Sequence, residues 1–358
     1  MKKTKIGVVG CGAISDIYMQ NLSKMFTNTE VIGVCDLIDE RAERIVKQYN
    51  IPRKYKDMHD LFADDAVEIV LNLTRPYEHC DVNMGAIAAG KHVYAEKPLG
   101  AALEEGIKAR DAAAKKGVLI GGAPDTFLGA GIQTCRKLTD EGKIGRPIAA
   151  TAFMVGRGHE TWHPDPEFYY KHGGGPMLDM GPYYISALVN LMGAVKSVTG
   201  ISGKAFDTRL ITSQPHNGTI IDVDVPTHIT GQMLFANGAI GTIITSFDVH
   251  AHSLPIIEIY GTEGTLAVPD PNTFGGPVRL FRPEAGWKEM PLEFGYPDNS
   301  RGLGLSDMAA AIEEGRKPRA GVDLTFHVLE VMTSVIRSSE TKTHIEMTSA
   351  PHRPEAVK

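Results

Sequence analysis

Along the first third of the chain, short apolar runs rich in β-branched residues alternate with stretches whose apolar positions recur every three or four residues. Residues 6–9, 31–35, 68–73, 91–94 and 118–120 read as strands, and the pattern between them predicts helices near 14–25, 39–48, 81–89 and 103–116. Such alternation implies right-handed βαβ crossovers and a parallel sheet. Past a helix near 132–141 and the turn Gly145-Arg146-Pro147 the pattern changes. Residues 148–155, 195–203, 227–235, 239–248, 256–260 and 278–281 are strand-like, and Asn237-Gly238 between two such runs is a hairpin signal. A mostly antiparallel sheet follows, with helices near 183–191, 305–314 and 324–338 expected to cover one face. The fold class is therefore α/β: an N-terminal parallel sheet over residues 1–122 and a C-terminal α+β domain over 123–358. His250 and His252 alternate on an expected strand and so share a face, with a solvated or intersubunit role. Residues beyond 341 form a polar tail expected to pack weakly.

Composition narrows the setting without changing the fold. At 358 residues, with 42% hydrophobic and 22% charged positions, the chain has the make-up of about two globular domains. The net charge is −6 and no run of Lys and Arg makes a basic stripe, so nucleic acid and anionic membranes are not expected partners. Cys11, Cys35, Cys80 and Cys135 are scattered without C-x-x-C spacing and read as buried thiols of a reducing compartment. No segment approaches the apolar length of a spanning helix. The basic start followed by residues 6–11 resembles a signal segment ending in Cys, but its apolar core is too short. A cytoplasmic protein is expected.

The first apolar run ends in Gly10-Cys11-Gly12-Ala13-Ile14-Ser15, and the second ends in Asp36. This is a dinucleotide-binding fingerprint. Gly10 permits a tight strand-to-helix turn, Gly12 lets the backbone approach a pyrophosphate, and Ser15 is small enough for close helix-to-strand packing. The phosphates would rest on the helix N-terminus, where free N–H groups and the helix dipole offset their charge. Asp36 would accept hydrogen bonds from the adenosine ribose and repel a 2′-phosphate, so NAD is expected rather than NADP. The turn Thr74-Arg75-Pro76 converges on the same sheet edge.

Further along, Glu96-Lys97-Pro98 closes a predicted strand at that edge, with a cis Lys97-Pro98 bond as one option. Lys97 there could polarise a carbinol oxygen; alone, a Glu–Lys pair is also an ordinary surface feature. A second cluster runs Gly173-Gly174-Gly175-Pro176 into Asp179 and Tyr183. At i, i+4 both side chains share one helix face, making with Lys97 an acid–base set. Alternatively, Asp179 caps the helix and Tyr183 packs in the core.

These motifs, in this order, resemble the glucose-fructose oxidoreductase / inositol dehydrogenase / MocA family. The resemblance rests on Gly10 to Ser15, Thr74-x-Pro76-x-x-His79, Ala89-Gly-Lys-His-Val with Glu96-Lys97-Pro98, and Gly173-Gly-Gly with Leu178-Asp179-x-Gly181. It implies a Rossmann domain plus an α/β domain with an open sheet, NAD(P)-dependent oxidoreduction of sugars or polyols, and a homodimer or homotetramer. Lys97 matches the family's catalytic lysine and Asp179 its aspartate. Many members carry His four residues after that aspartate; this chain carries Tyr183, as do the glucose-fructose type and dihydrodiol dehydrogenases. Cofactor contacts are expected from Gly10, Gly12, Ala13, Ile14, Asp36, Thr74, Arg75, Pro76, His79, Glu96 and Lys97.

The stretch from Gly156 to Tyr170 mixes polar and aromatic side chains, as sugar sites do: C–H faces pack on rings while His, Asp and Arg bond hydroxyls. His159, Trp162 and His163 are expected to touch substrate, together with Lys97, Asp179 and Tyr183; Asp125, after Gly121-Gly122-Ala123-Pro124, is expected either to join them or to belong to an ordinary loop turn. His159 and His163 have a ligand-like spacing, but Pro164 and Pro166 oppose a helix and no catalytic metal is expected. A runner-up activity is an NAD-recycling glycosidase or lyase working by transient oxidation and elimination. A non-catalytic NAD-sensing protein ranks below both.

Overall fold

The computed structural model describes residues 3–357. The described chain folds as two compact units, one of residues up to Asp125 with Asn299–Phe326, the other of Thr126–Asp298 with the residues from His327 onward. The first therefore includes a late segment that the pattern of apolar positions assigned to the second.

In the first unit, β1 (Thr4–Val9), β2 (Thr29–Cys35), β3 (Arg53–Lys54), β4 (Ile69–Asn72), β5 (His92–Ala95) and β6 (Ile120–Gly122) form one parallel sheet. Their order is β3-β2-β1-β4-β5-β6, the doubly wound arrangement in which ligands bind where the strand order reverses. Helices α1 (Ser15–Lys24), α2 (Asp39–Tyr49), α3 (Met58–Ala63), α4 (His79–Ala88) and α5 (Leu103–Lys116) connect the strands. The runs are apolar on both faces because both are covered: Ile6, Val8, Val34, Ile69, Val70, Leu71, Val93 and Tyr94 are all buried. The last strand lies two residues later than its apolar run suggests, on Gly121 and Gly122. A Cβ at Gly121 would stand 3.0 Å from the Ala320 carbonyl oxygen, so the returning segment packs tightly on the glycine there. Gly122 N–H donates to that carbonyl at 2.9 Å.

In the second unit, α6 (Ala130–Asp140) and α7 (Gly175–Met192) accompany a nine-stranded mixed sheet. Its strands, with a separate hairpin, are β7 (Pro147–Val155), β8 (Val195–Gly203), β9 (Thr208–Leu210), β10 (Ile220–Asp222), β11 (His228–Phe235), β12 (Ile240–Ser246), β13 (Ile257–Gly261), β14 (Thr265–Val268), β15 (Val278–Arg282), β16 (Gly286–Met290) and β17 (Ile345–Glu346). The sheet order is β16-β15-β14-β13-β7-β12-β11-β8-β17, antiparallel throughout except β7 with β12, while β9 and β10 pair apart from it. Asn237-Gly238 makes the expected β11–β12 hairpin, with Gly238 at φ 85° and Asn237 Oδ1 accepting from Ala239 N–H at 2.9 Å.

Three expectations are corrected. Helix α8 (Leu303–Glu314) packs beside β6 in the first unit rather than over the second sheet. His250 and His252 lie in a loop, not on a strand. The polar tail beyond residue 341 packs firmly: β17 pairs with β8, Arg353 Nε donates to the Asn190 carbonyl at 2.8 Å, and Val357 N–H donates to Gln133 Oε1 at 3.0 Å. Helix α9 (Val322–Thr341) carries the chain from the first unit into the second.

His327 on α9 anchors that tail. Its Nε2 accepts from Val195 N–H at 3.0 Å, so the proton sits on Nδ1, which donates to Ser349 Oγ at 2.7 Å; Ser349 in turn donates to Glu330. Burial pushes His327 down to about 4. Because the folded value lies below the unfolded one, the neutral ring adds stability above pH 6.5, and that stability drains as pH falls toward 4. The loss amounts to about 3 kcal/mol. Urea unfolding of the second unit at pH 7.5 and 4.5 should show it, and His327→Gln should flatten the difference. An unchanged pH slope in that variant would refute the assignment. Asp125 in the first unit acts with the opposite sign: burial lifts its carboxyl to about 6, so its contribution is lost as pH rises through that value.

Candidate active site

The nucleotide end of the first unit is built from the loops at the carboxyl ends of β1, β2, β4 and β5. Gly10 sits at φ 98°, and a Cβ there would stand 2.8 Å from the Leu73 carbonyl, so only glycine fits the turn. At Gly12 a Cβ would meet nothing within 4 Å, which leaves the open space that a pyrophosphate needs over the start of α1. Ser15 is buried and donates from Oγ to the Gly12 carbonyl at 2.6 Å, closing the loop onto the helix. Helix α1 has no side-chain cap at Ile14, and Ala13 is exposed beside it.

Asp36, at the end of β2, accepts from Cys11 N–H at 2.6 Å and from Ile38 N–H at 2.8 Å, fixing its carboxylate at the rim of the glycine turn. Leu37 next to it is 93% exposed and Ile38 is exposed too, an apolar margin suited to an adenine ring. The residues present thus fit a dinucleotide. Burial pushes the Cys11 and Cys35 thiols up to about 12, and all four cysteines are buried and free.

The Thr74 turn is held from beneath. Asn72 Oδ1 accepts from Thr74 N–H and Oγ1, and Asn72 Nδ2 donates to Asn83 Oδ1 at 2.9 Å. Arg75 is exposed, with Nη1 donating to Tyr77 Oη at 3.0 Å, and Pro76 opens a short 3-10 turn. His79 is fully buried with Nδ1 2.7 Å from the Pro98 carbonyl and Nε2 3.0 Å from the Thr74 carbonyl. Each ring nitrogen faces a backbone carbonyl; the neutral ring donates to one of the two, and with both nitrogens turned to backbone it sits between the Thr74 turn and the Lys97-Pro98 turn rather than presenting a free nitrogen to a cofactor. Burial pushes its pKa down.

Glu96 is likewise buried and engaged: Oε1 accepts from the Tyr18 hydroxyl at 2.8 Å and Oε2 from Lys97 N–H at 3.0 Å. It positions Lys97, which is half-buried and followed by a cis bond to Pro98. Asp125 is 1% exposed and accepts from Gly302 and Gly304 N–H at 2.9 Å each, a job of binding the returning segment rather than a substrate.

In the second unit α7 begins at Gly175, eight residues before the pattern of apolar positions suggests, because Pro176 is tolerated in a first turn. Asp179 and Tyr183 therefore stand one turn apart on one helix, both nearly buried. A 3-10 turn, His159–Thr161, brings His159 Nε2 to 3.3 Å from Asp179 Oδ2. His159 stacks on Tyr169 at 3.9 Å between ring centroids, with Trp162 at 5.1 Å and Phe247 at 4.8 Å. His163 Nδ1 accepts from Asp165 N–H at 3.0 Å, and burial pushes this imidazole down. Trp162 remains 63% exposed.

His159, Trp162, His163, Asp179 and Tyr183 are thus gathered in one unit, whereas Lys97 belongs to the other. Tyr169, Tyr170, Glu160, Arg209 and Phe247 complete this cluster and went unselected. Arg209, Phe247 and the 156–170 stretch come from separate parts of the chain, and no spacing joins them. Among the described residues, no group of three or more His, Cys, Asp or Glu is arranged to hold a metal ion. No helix among them is long and apolar enough to cross a membrane.

Two family models match the chain, an oxidoreductase family with an NAD-binding Rossmann fold over residues 4–122 and the GFO/IDH/MocA C-terminal domain over residues 132–267. An inositol 2-dehydrogenase of Salmonella paratyphi B is 34% identical over 171 residues, 46% of this chain and 48% of that protein. The match thus spans about half of that relative. A scyllo-inositol 2-dehydrogenase (NAD(+)) of Bacillus subtilis is 25% identical over 74% of both chains. A levoglucosan dehydrogenase solved in complex with NADH superposes with a TM-score of 0.84 at 19% identity, over 98% of this chain and all of its own, and shares the fold. With the glycine turn, the strand order and both domain models in agreement, the chain belongs to the GFO/IDH/MocA oxidoreductase family and carries its NAD-binding Rossmann domain.

Proposed function

We propose that this protein is an NAD-dependent dehydrogenase that moves a hydride between a carbinol of a sugar or polyol and the nicotinamide. The observation that carries this reading is the Asp179 carboxylate, one turn from the Tyr183 phenol and 3.3 Å from His159 Nε2 against a wall of stacked rings. Such a wall packs on the C–H face of a cyclic polyol while the polar groups bond its hydroxyls. The names of the inositol dehydrogenase relatives support the same substrate class.

When bound, NAD supplies the acceptor for the hydride. The backbone at Gly10 and Gly12 and the N-terminus of α1 would hold its phosphates, and Asp36 would hold its ribose. Lys97 steadies the substrate oxygen as its O–H proton leaves, Tyr183 relays that proton, and Asp179 orients the pair. The C–H electron pair leaves as hydride, so the carbinol becomes a carbonyl and one proton is released. The four free buried thiols favour a reducing compartment such as the cytoplasm, and the family membership favours a homodimer or homotetramer. Sedimentation as a monomer alone would count against the assembly.

The deciding experiment follows NADH absorbance with a panel of inositols, alditols and aldoses, each with NAD and with NADP. At least one polyol or aldose should reduce NAD, at a kcat/KM about tenfold or more above that with NADP, because a carboxylate at position 36 repels the extra phosphate. Silence across the panel would overturn the activity, and a preference for NADP would overturn the role of Asp36.

A further inference from the structure

The β9–β10 hairpin, within residues 204–226, is laid on the stretch that carries His159. Thr212 and Ser213 N–H donate to the Glu160 carbonyl at 2.9 and 3.2 Å, Ser213 Oγ donates to the His163 carbonyl at 2.5 Å, and Asp224 N–H donates to the Tyr170 carbonyl at 2.9 Å. Beneath these, Tyr170, Ile211, Ile221, Val223 and Phe247 form a small apolar cluster.

At its centre is a buried cation. The Arg209 side chain is 3% exposed; Nη1 donates to Glu160 Oε1 at 3.0 Å, while Nη2 donates to Asp248 Oδ1 and, at 3.3 Å, to the Phe247 carbonyl. The Tyr170 hydroxyl donates to the other oxygen of Glu160, and Thr227 Oγ1 donates to the other oxygen of Asp248 at 2.7 Å. The guanidinium lies over the rings of Phe206 at 4.9 Å and Tyr170 at 5.5 Å. A planar fork meets two carboxylates and a carbonyl at once, which a lysine ammonium cannot reproduce.

We propose that Arg209 is a positioning residue for the substrate site: by clamping Glu160 and Asp248 it holds the 158–171 stretch in the register that sets His159 against Asp179. This rests on the dehydrogenase reading only in assigning that stretch to the substrate. The clamp is more than filler because Glu160 directly follows His159, so any slip of the carboxylate moves the imidazole.

The test is Arg209→Lys, with the substrate found in the panel. KM for that substrate should rise about tenfold, with kcat within about threefold and KM for NAD unchanged, the pattern of lost substrate binding. Amide exchange should quicken in 158–171 and 205–224 and stay unchanged in α7. Should Arg209→Lys fold poorly, Arg209→Gln with Glu160→Gln removes one charge of each sign and should give the same split. A folded variant with KM unchanged, or with exchange raised evenly through the second unit, overturns the proposal. If no panel compound is oxidised, the dehydrogenase reading fails, and exchange alone decides: local quickening supports the clamp and unchanged protection refutes it.

Discussion

Lys97→Ala is expected to lower kcat for carbinol oxidation by about 10²- to 10⁴-fold, the usual worth of a positioned acid–base group. Affinity for NADH should fall far less than kcat, since the pyrophosphate rests on backbone N–H groups and Lys97 is only one of the expected cofactor contacts. The expectation follows from how firmly the residue is held. Its N–H is fixed by Glu96, Glu96 by Tyr18, and the following turn by His79 on the Pro98 carbonyl. Such a backbone fixes the point from which the side chain leaves the end of β5, and a lysine charge brought up to a developing alkoxide stabilises it. Steady-state rates and an NADH fluorescence titration check both halves, and a variant retaining more than a tenth of the wild-type kcat would remove Lys97 from the chemistry.

Gly10→Ala should produce the second large effect, on stability and on cofactor affinity together. The residue lies at φ 98°, and the new methyl would press on the Leu73 carbonyl at 2.8 Å, a backbone contact with no side chain to swing away. Left-handed strain plus that collision costs about 3 kcal/mol. Gly12→Val makes the contrast, because its Cβ meets nothing within 4 Å. There the melting temperature should hold while NADH affinity falls, since the branched side chain occupies the space left for phosphate. Thermal melts and NADH titrations of both variants separate the two glycines, and equal losses of stability would refute the distinction.

Much of the first unit was legible because its physics is local. Strands buried on both faces read as continuous apolar runs, and a turn that needs φ above zero announces itself as glycine. The residues proposed for the chemistry stood out in the sequence too: Lys97 at a strand end, Asp179 and Tyr183 at i, i+4, and His159 in a stretch mixing polar and aromatic groups. What local pattern could not give was tertiary in origin. β6 moved to Gly121-Gly122 because Ala320 lies against it. Asp125, which looked like a substrate ligand, is consumed by the amides of Gly302 and Gly304. Helix α7 began early because Pro176 falls in its first turn, where proline is harmless, and it runs on through Pro182, which reads as a breaker in a pattern. Arg209 was invisible for a related reason: its partners at positions 160, 247 and 248 have no shared periodicity with it.

The segment Asn299–Phe326 also bears on how the protein is made. Asn21 donates to the carbonyls of Asn299 and Arg301, Asn28 to that of Ser306, and Asp125 awaits two amides from the same stretch. A nascent nucleotide-binding half leaving the ribosome therefore lacks its final pieces until residues 299–326 have emerged, after the greater part of the second unit. Completion of that half thus waits on residues 299–326, unlike a chain whose domains are finished one after another from the N-terminus. Cut before residue 299, the cofactor module would leave Asp125 and Asn21 without the backbone partners they hold here.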